Sequence, residues 1–309
     1  MGRKKGTIYC YVIFSQLSRT KQKVLYIAVF HFQCLPNLRW LDLSHSKNLI
    51  EVPDLTEVPR LTILNLEGCI ELVEIHPSIA VLRELCHLNL GNCKKLVLNL
   101  NVISGLSSLN CLSISGCSKL LNSKMLMDPR HTKYVEKVDK NTNVIQLPTS
   151  SVYKLLMLPF QFFSQPKPQD SFGLLLSSLS CVPCLSYLDI SFCNLLQIPD
   201  EIGNLRSLVI LNLGGNKFVT LPSTINQLSN LKNLRLEHCK ELKYLPELPT
   251  IKGYIIDSMY SGLFIFYCPK LSDTEHCYGI LFSWIMQNLE VTTPSFISFI
   301  TFSVYTIYL

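Results

Sequence analysis

The chain has 309 residues, 48% of them hydrophobic and 16% charged, with a net charge of +6. That is enough apolar surface for a large core or one elongated repeat array, while the charge is mild and scattered, with no dense Lys/Arg stripe of the kind a nucleic-acid protein carries. Thirteen cysteines, an odd number, and the lack of any Asn-x-Ser/Thr acceptor among 19 asparagines argue for a reducing interior rather than a disulfide-framed secreted fold.

Residues 1–33 read as an irregular extension. Arg3-Lys4-Lys5 solvates a terminus, and the apolar runs Ile8–Phe14 and Val24–Phe32 behind this basic start leave a signal peptide open. A myristoyl signal fails because position 6 is glycine.

From residue 34 a pattern appears that neither a helix nor a strand produces alone. Leu61-x-x-Leu64-x-Leu66 leads to Cys69 and Leu72, so apolar residues fall at offsets 0, 3, 5, 8 and 11. The same series starts at Leu38 (Ser46, Leu49), Leu85 (Cys93, Leu96) and Leu109 (Cys117, Leu120). After a gap it returns at Leu185 (Cys193, Leu196), Leu208 (Asn216, Val219) and Leu231 (Cys239, Leu242). These seven copies, numbered one to seven in chain order, start 23 or 24 residues apart within each block. Such a period predicts one short strand per copy, a turn and a return leg. A strand this short cannot hide its own apolar face, but parallel copies stacked about 4.8 Å apart bury every leucine between two neighbours. Pro77-Ser-Ile79-x-x-Leu82, Pro199-x-x-Ile202-x-x-Leu205 and Pro222-x-x-Ile225-x-x-Leu228 have helical spacing behind a proline and are expected to close the convex side. The expected fold is an α/β leucine-rich-repeat solenoid, with parallel strands on the concave face and short helices or irregular legs on the convex one. Its parts are a first block over 34–122, a degenerate repeat and loop excursion over 123–180, a second block over 181–247, and an apolar tail over 248–309.

Within the excursion, Val135-x-x-Val138 resembles a worn repeat, and Phe160, Phe162 and Phe163 suggest a satellite core. In the tail, VTTPSFISFITFSVYTIYL (291–309) holds no charge, yet the run after Pro294 is shorter than the ~20 residues a spanning helix needs.

Cys69, Cys93, Cys117, Cys193 and Cys239 share one repeat position with Ser46 and Asn216, which predicts a row of free buried thiols. Cys181-x-x-Cys184 lacks a second pair at finger spacing, so no metal site is expected, and no cofactor. Gly-x-Ser-x-Gly, His-Glu-x-x-His and phosphate-loop motifs are absent, and no enzyme is expected.

Residues between the strand leucines should point to the concave face. One column runs Trp40, Ile63, His87, Cys111, Tyr187, Ile210, Asn233, and the next Asp42, Asn65, Asn89, Ser113, Asp189, Asn212, Arg235. The second is polar throughout, as a solvated surface requires, whereas the first offers aromatic and aliphatic anchors of the kind protein interfaces use. Trp40 and Tyr187 lead these candidates, with His45, Glu67, Phe192, Glu237 and His238 at the following offsets. Lateral packing within the sheet is the competing explanation for each apolar one.

LNLEGCIELVEIHPSI, LNLGNCKKL, LDISFCNLLQIPDEIGNLRSL and LRLEHCKELKYLPELP resemble the repeats of plant intracellular immune receptors, more narrowly the TIR–NB–LRR disease-resistance class, over about residues 35–275. Cys at the inner corner and no Gly-x-Ile-Pro carry the resemblance. LPELPT, then FIFYCPKLSDTEHC, resembles the repeat exit and the region behind it. The resemblance implies a module of defence signalling that binds proteins: a pathogen effector, a guarded host protein, or the receptor's own nucleotide-binding domain. No nucleic acid is expected as a partner. It implies a cytoplasmic or nuclear location, and a chain that looks like a fragment, since neither a nucleotide-binding nor a TIR domain is present. A membrane-associated receptor-like protein sensing an extracellular ligand is the alternative.

Overall fold

In the computed structural model, residues 8–11, 37–97, 103–119, 171–249, 262–271 and 279 are described. The worn repeat at Val135, the phenylalanine cluster at 160–163, Leu120 and the apolar segments at 24–32 and 291–309 lie outside them. The chain divides into two units, 1–121 with 172–309, and 122–171; the repeat array belongs to the first.

Its frame is a nine-stranded, all-parallel sheet in strict chain order. The strands are β1 (Ile8–Tyr11), β2 (Leu38–Asp42), β3 (Ile63–Asn65), β4 (His87–Asn89), β5 (Cys111–Ser113), β6 (Tyr187–Asp189), β7 (Ile210–Asn212), β8 (Asn233–Arg235) and β9 (Gly262–Phe264). From β2 onward register is preserved: Leu41, Leu64, Leu88, Leu112, Leu188, Leu211, Leu234 and Leu263 are successive partners, whereas the β1–β2 pairing shifts between Ile8 and Tyr9. β5 pairs directly with β6, although 76 residues separate Leu112 from Leu188. The first seven of those leucines are buried, as are the copy-start leucines from Leu38 to Leu231. Burying one leucine is worth about 1.5–3 kcal/mol, gained only when both neighbouring coils are present.

The sheet is longer than the seven copies. β1 lies in the segment expected to be irregular, and β9 in the segment expected to be a tail. Behind β9, Ile265 is buried, and the Cys268 thiol donates to Leu236 O just as the corner cysteines do. Leu263-x-Ile265-x-x-Cys268-x-x-Leu271 is therefore an eighth copy.

Return legs are single turns of 3-10 helix, Pro77–Val81, Asp200–Asn204 and Ser223–Gln227, rather than α-helices. One turn is all that fits before the next strand must begin. Ile79, Ile202 and Ile225 point inward from them. An α-helix, α1 (Ser171–Leu179), buries Phe172, Leu175, Leu176 and Leu179 and stands in for a return leg before copy five.

Two assignments of core residues are corrected. In copies five and six Leu195 and Phe218 are buried, whereas Leu196 is 72% and Val219 43% exposed. These coils turn inward one residue early. Elsewhere the residue three past the corner closes a turn on the corner carbonyl, as in Leu72 N→Cys69 O at 3.0 Å. Copy five lacks that geometry because Asn216 of copy six reaches across and accepts from both Cys193 N and Leu195 N, each at 3.1 Å.

Candidate protein-binding surface

Five of the strands end in the same way. Asp42, Asn65, Asn89, Asp189 and Asn212 each accept, through Oδ1, the backbone N–H two residues on, at 2.9–3.2 Å. These side chains terminate the strand by an Asx turn. The polarity of this column is therefore structural, not merely the solvation expected of a surface. Arg235 breaks the series: its Nε donates to Asn233 Oδ1 at 3.3 Å, and its guanidinium lies 5.6 Å from the centre of the Phe264 ring.

Three residues past these, the chain enters the left-handed region in every copy. His45, Gly68, Asn92, Gly116, Phe192, Gly215, His238 and Tyr267 have φ between 54° and 72°. This turn lets the following residue point inward while its own N–H still pairs with the next coil, as in Phe192 N→Gly214 O at 2.8 Å. The inward residue is the corner cysteine. Its thiol donates back to the preceding coil: Cys69 to Leu43 O, Cys93 to Leu66 O, Cys117 to Leu90 O, Cys193 to Ile114 O and Cys239 to Leu213 O, over 3.0–3.5 Å. All five are free and buried. Burial pushes the thiols of Cys69, Cys193 and Cys239 up to about 11, that of Cys93 up to about 12, and that of Cys117 further still. They are protonated struts, not nucleophiles. Cys181 and Cys184 are free and exposed.

Through copy six the left-handed column alternates in size. Ring or amide side chains lean over the next coil's glycine: an added Cβ on Gly68 would lie 2.4 Å from His45 Nδ1, on Gly116 2.6 Å from Asn92 Oδ1, and on Gly215 2.2 Å from Phe192 Cδ1. Left-handed backbone costs a non-glycine residue about 1–2 kcal/mol. Gly215→Ala should thus destabilise by about 1–3 kcal/mol, from strain plus the collision with the Phe192 ring. In a Phe192→Gly background the loss should fall to the backbone part alone, which a double-mutant cycle by urea unfolding will show.

On the concave face, Trp40, Ile63, Cys111, Tyr187 and Ile210 are half-buried against one another along the sheet, and His87 is exposed. Asn233, expected on the accessible face, is instead 1% exposed beneath Arg235. Tyr187 sits opposite Cys111 and Ile210, and its hydroxyl lies 3.5 Å from Asp189 Oδ2. Burial and then the Asp189 carboxylate push its phenol up to about 12, so it stays a neutral donor. Asp189 Oδ1 also accepts from Ser191 N and Oγ. At the strand-end edge, Phe192 lies 6.4 Å from His238, which stacks on Tyr267 at 4.8 Å, while Phe264 and Phe266 lie 6.3 Å apart. Phe192, His238, Arg235, Tyr187 and Asp189 are thus brought into one region, with His45 and Glu67 further along the array. Tyr267, Phe264 and Phe266 are missed by the leucine series because their copy starts without a leucine; the offsets 3, 5 and 8 of Leu263, Ile265 and Cys268 are the available signal.

One cluster has the composition of a catalytic triad but not its geometry. His76 Nδ1 lies 2.8 Å from Ser78 Oγ and 3.9 Å from Asp54 Oδ1, so both contacts fall on one ring nitrogen. A general base needs its two nitrogens to face the two partners. Ser78 Oγ is also occupied in accepting the buried Leu55 N–H.

The coils, their leucine register and their corner thiols define a leucine-rich-repeat protein, and the leucine-rich-repeat family model matches residues 183–240. Similar curated proteins are TMV resistance protein N of Nicotiana glutinosa, 39% identical over 36% of this chain and 10% of that protein, and disease resistance protein RPS4 of Arabidopsis thaliana, 33% identical over 69% of this chain and 18% of its own length. Disease resistance-like protein DSC1 of Arabidopsis thaliana is 48% identical over 23% of this chain and 6% of that protein. The chain is a leucine-rich-repeat segment of the plant NLR disease-resistance type. It spans less than a fifth of the length of these relatives. Among solved structures, the leucine-rich-repeat domain of the type III effector XCV3220 (XopL) is 17% identical, covering 83% of this chain and 70% of that one at a TM-score of 0.48. Among the described residues, no helix is long and apolar enough to cross a membrane.

Proposed function

We propose that the chain is a non-catalytic recognition surface in plant defence, working inside the cell by binding protein through the concave face. The partner is a pathogen effector, a guarded host protein or the nucleotide-binding half of a receptor, which it would hold inactive. One observation carries this reading. Tyr187 pairs with Ile210 on the next coil, Arg235 stands in the neighbouring column one coil further with its charge bearing on the Tyr187 phenol, and the turn chemistry that accounts for the Asp and Asn column accounts for none of them. Rigid aromatics beside an arginine are what interface hot spots are made of. Control of a receptor half would arise from contact with one of its two states and not the other.

Co-precipitation of the full chain with isolated TIR–NB halves of resistance receptors tests the autoinhibitory form. Tyr187→Ala and Arg235→Ala should each weaken association by at least about tenfold, as truncation of a hot-spot residue does. Circular dichroism should leave the fold of both variants unchanged. Association that survives both substitutions removes the concave face from the account.

A further inference from the structure

Lysines that are scattered in sequence become aligned by the repeat. The two positions past the inward corner hold Lys47, Lys94, Lys95, Lys119, Lys217 and Lys240 in their respective copies, all exposed, with Lys270 from copy eight. Against them stand Glu71, paired with Lys95 at 2.7 Å, and Glu241, paired with Lys270 at 2.6 Å. Lys243 and Lys217 also bear on Glu241, so its one negative charge faces three ammonium groups. Glu237, the other acid here, has its carboxylate folded over Gly214, with Oε2 3.6 Å from where a Cβ would lie.

Alongside this row run the rings of the left-handed column. Phe192 is 55% and Tyr267 65% exposed, and His238 lies between them. The equivalent residues of copies two, four and six are glycines, which take this backbone freely. Bulky rings therefore sit in solvent on backbone that disfavours them, and the core gains nothing from it. The ring planes of His238 and Tyr267 are 4° from parallel, so each covers one face of the other and the ring edges remain outward. Ring edges are electropositive.

We propose that the strand-end edge of copies five to eight docks an acidic protein segment, whose carboxylates meet the lysine row and ring edges while its apolar side chains lie against Phe192 and Tyr267. This rests on the reading of the chain as a protein-binding module and names the partner's chemistry. A single-stranded nucleic acid would find the same charge and the outer ring faces, but Glu237 and Glu241 stand among these lysines, so the row is not the continuous basic stripe such a ligand tracks.

Fluorescence anisotropy with the full chain tests it. The probes are a labelled synthetic peptide alternating Glu with Phe and Leu, the same peptide with Lys for Glu, and single-stranded oligothymidylate. The acidic peptide should bind, more weakly at high salt, and Lys217→Glu with Lys243→Glu should cost at least about tenfold. Phe192→Gly with Tyr267→Gly should cost a similar factor without lowering the melting temperature, because glycine relieves the left-handed backbone. Oligothymidylate binding as tightly as the acidic peptide overturns the proposal, as does acidic-peptide affinity indifferent to the lysine changes. If the acidic peptide fails to bind while Tyr187→Ala still abolishes capture of a receptor half, the edge is wrong and the concave reading stands. If the peptide binds as expected and no receptor half is captured, the reverse holds.

Discussion

Asn216→Ala should lower stability to unfolding by about 4 kcal/mol, more than any single polar substitution elsewhere in the array. Its side chain ties copy six to copy five. Nδ2 donates to Ile190 O at 3.0 Å and Leu213 O at 2.8 Å, and Oδ1 accepts from Cys193 N and Leu195 N. Alanine strands two buried amides and the Ile190 carbonyl, while Leu213 O keeps the Cys239 thiol; each stranded group costs about 1–3 kcal/mol, partly relieved by water entering the vacated space. Asn216→Cys should recover only a fraction: a thiol can donate to Ile190 O, as Cys193 does to Ile114 O, but it cannot take the two amides. Since coils are stabilised through their neighbours, urea unfolding of the alanine variant should also lose its single transition, with copies one to five and six to eight parting company. Stability within about 1 kcal/mol of the parent in both variants would show that the early turn of copy five holds without Asn216.

That turn marks where the sequence stops being legible. The coils were readable because leucine at offsets 0, 3 and 5 serves one purpose, filling the gap between two neighbours, and nothing else produces it. Past the corner, two apolar residues stand next to each other in copies five and six: Leu195 with Leu196, and Phe218 with Val219. Hydrophobicity cannot choose between them. In copy five the choice is made by the amide of a residue one coil away, which no local pattern encodes. The terminal strands were hidden for a related reason. β1 has no leucine series at all, and copy eight begins with tyrosine, 29 residues after Leu231 instead of 23 or 24, so periodicity fails before the offsets do.

Of the candidate surface, the sequence revealed which residues lie on the concave face but not why they are there. Asp42, Asn65, Asn89, Asp189 and Asn212 look like surface residues by polarity and prove to be strand terminators. Asn233 looks like one of the column and is covered by the neighbouring Arg235. Phe192 and His238 were visible as residues at the turn; that they belong to one row with Tyr267 depends on a glycine, Gly215, leaving room for the Phe192 ring to lean across.

The corner thiols should make the array unfold sharply in alkali. Cys69, Cys93, Cys117, Cys193 and Cys239 hold their protons in the fold well past the ordinary thiol value of 9.0, because burial disfavours the thiolate. Released into water they ionise at about 8.5–9. Their stabilising contribution is therefore complete below about pH 8.5, where both states are protonated, and is lost as pH rises towards the folded values of about 11–12. At pH 10 each thiol costs about 1.4 kcal/mol, and five together on the order of 5–7 kcal/mol, comparable to the whole stability of an ordinary domain. The tyrosine at 187, pushed up to about 12, joins only above about pH 10. The unfolding free energy, measured by urea titration at successive pH values, should be flat to about pH 8.5 and then fall steeply, the five corner thiols being joined by Cys111 and Cys268, which burial pushes up to about 11 and about 12. Serine at positions 69, 93 and 117 keeps the donor and removes the titration, so the slope should fall by about three protons. Below the transition, iodoacetamide should reach the exposed Cys181 and Cys184 and spare the corner row; above it, all should react together. A slope below one proton, or one that the serine substitutions leave untouched, would mean that the corner thiols ionise in place and that the coil geometry holding them against the carbonyls is wrong.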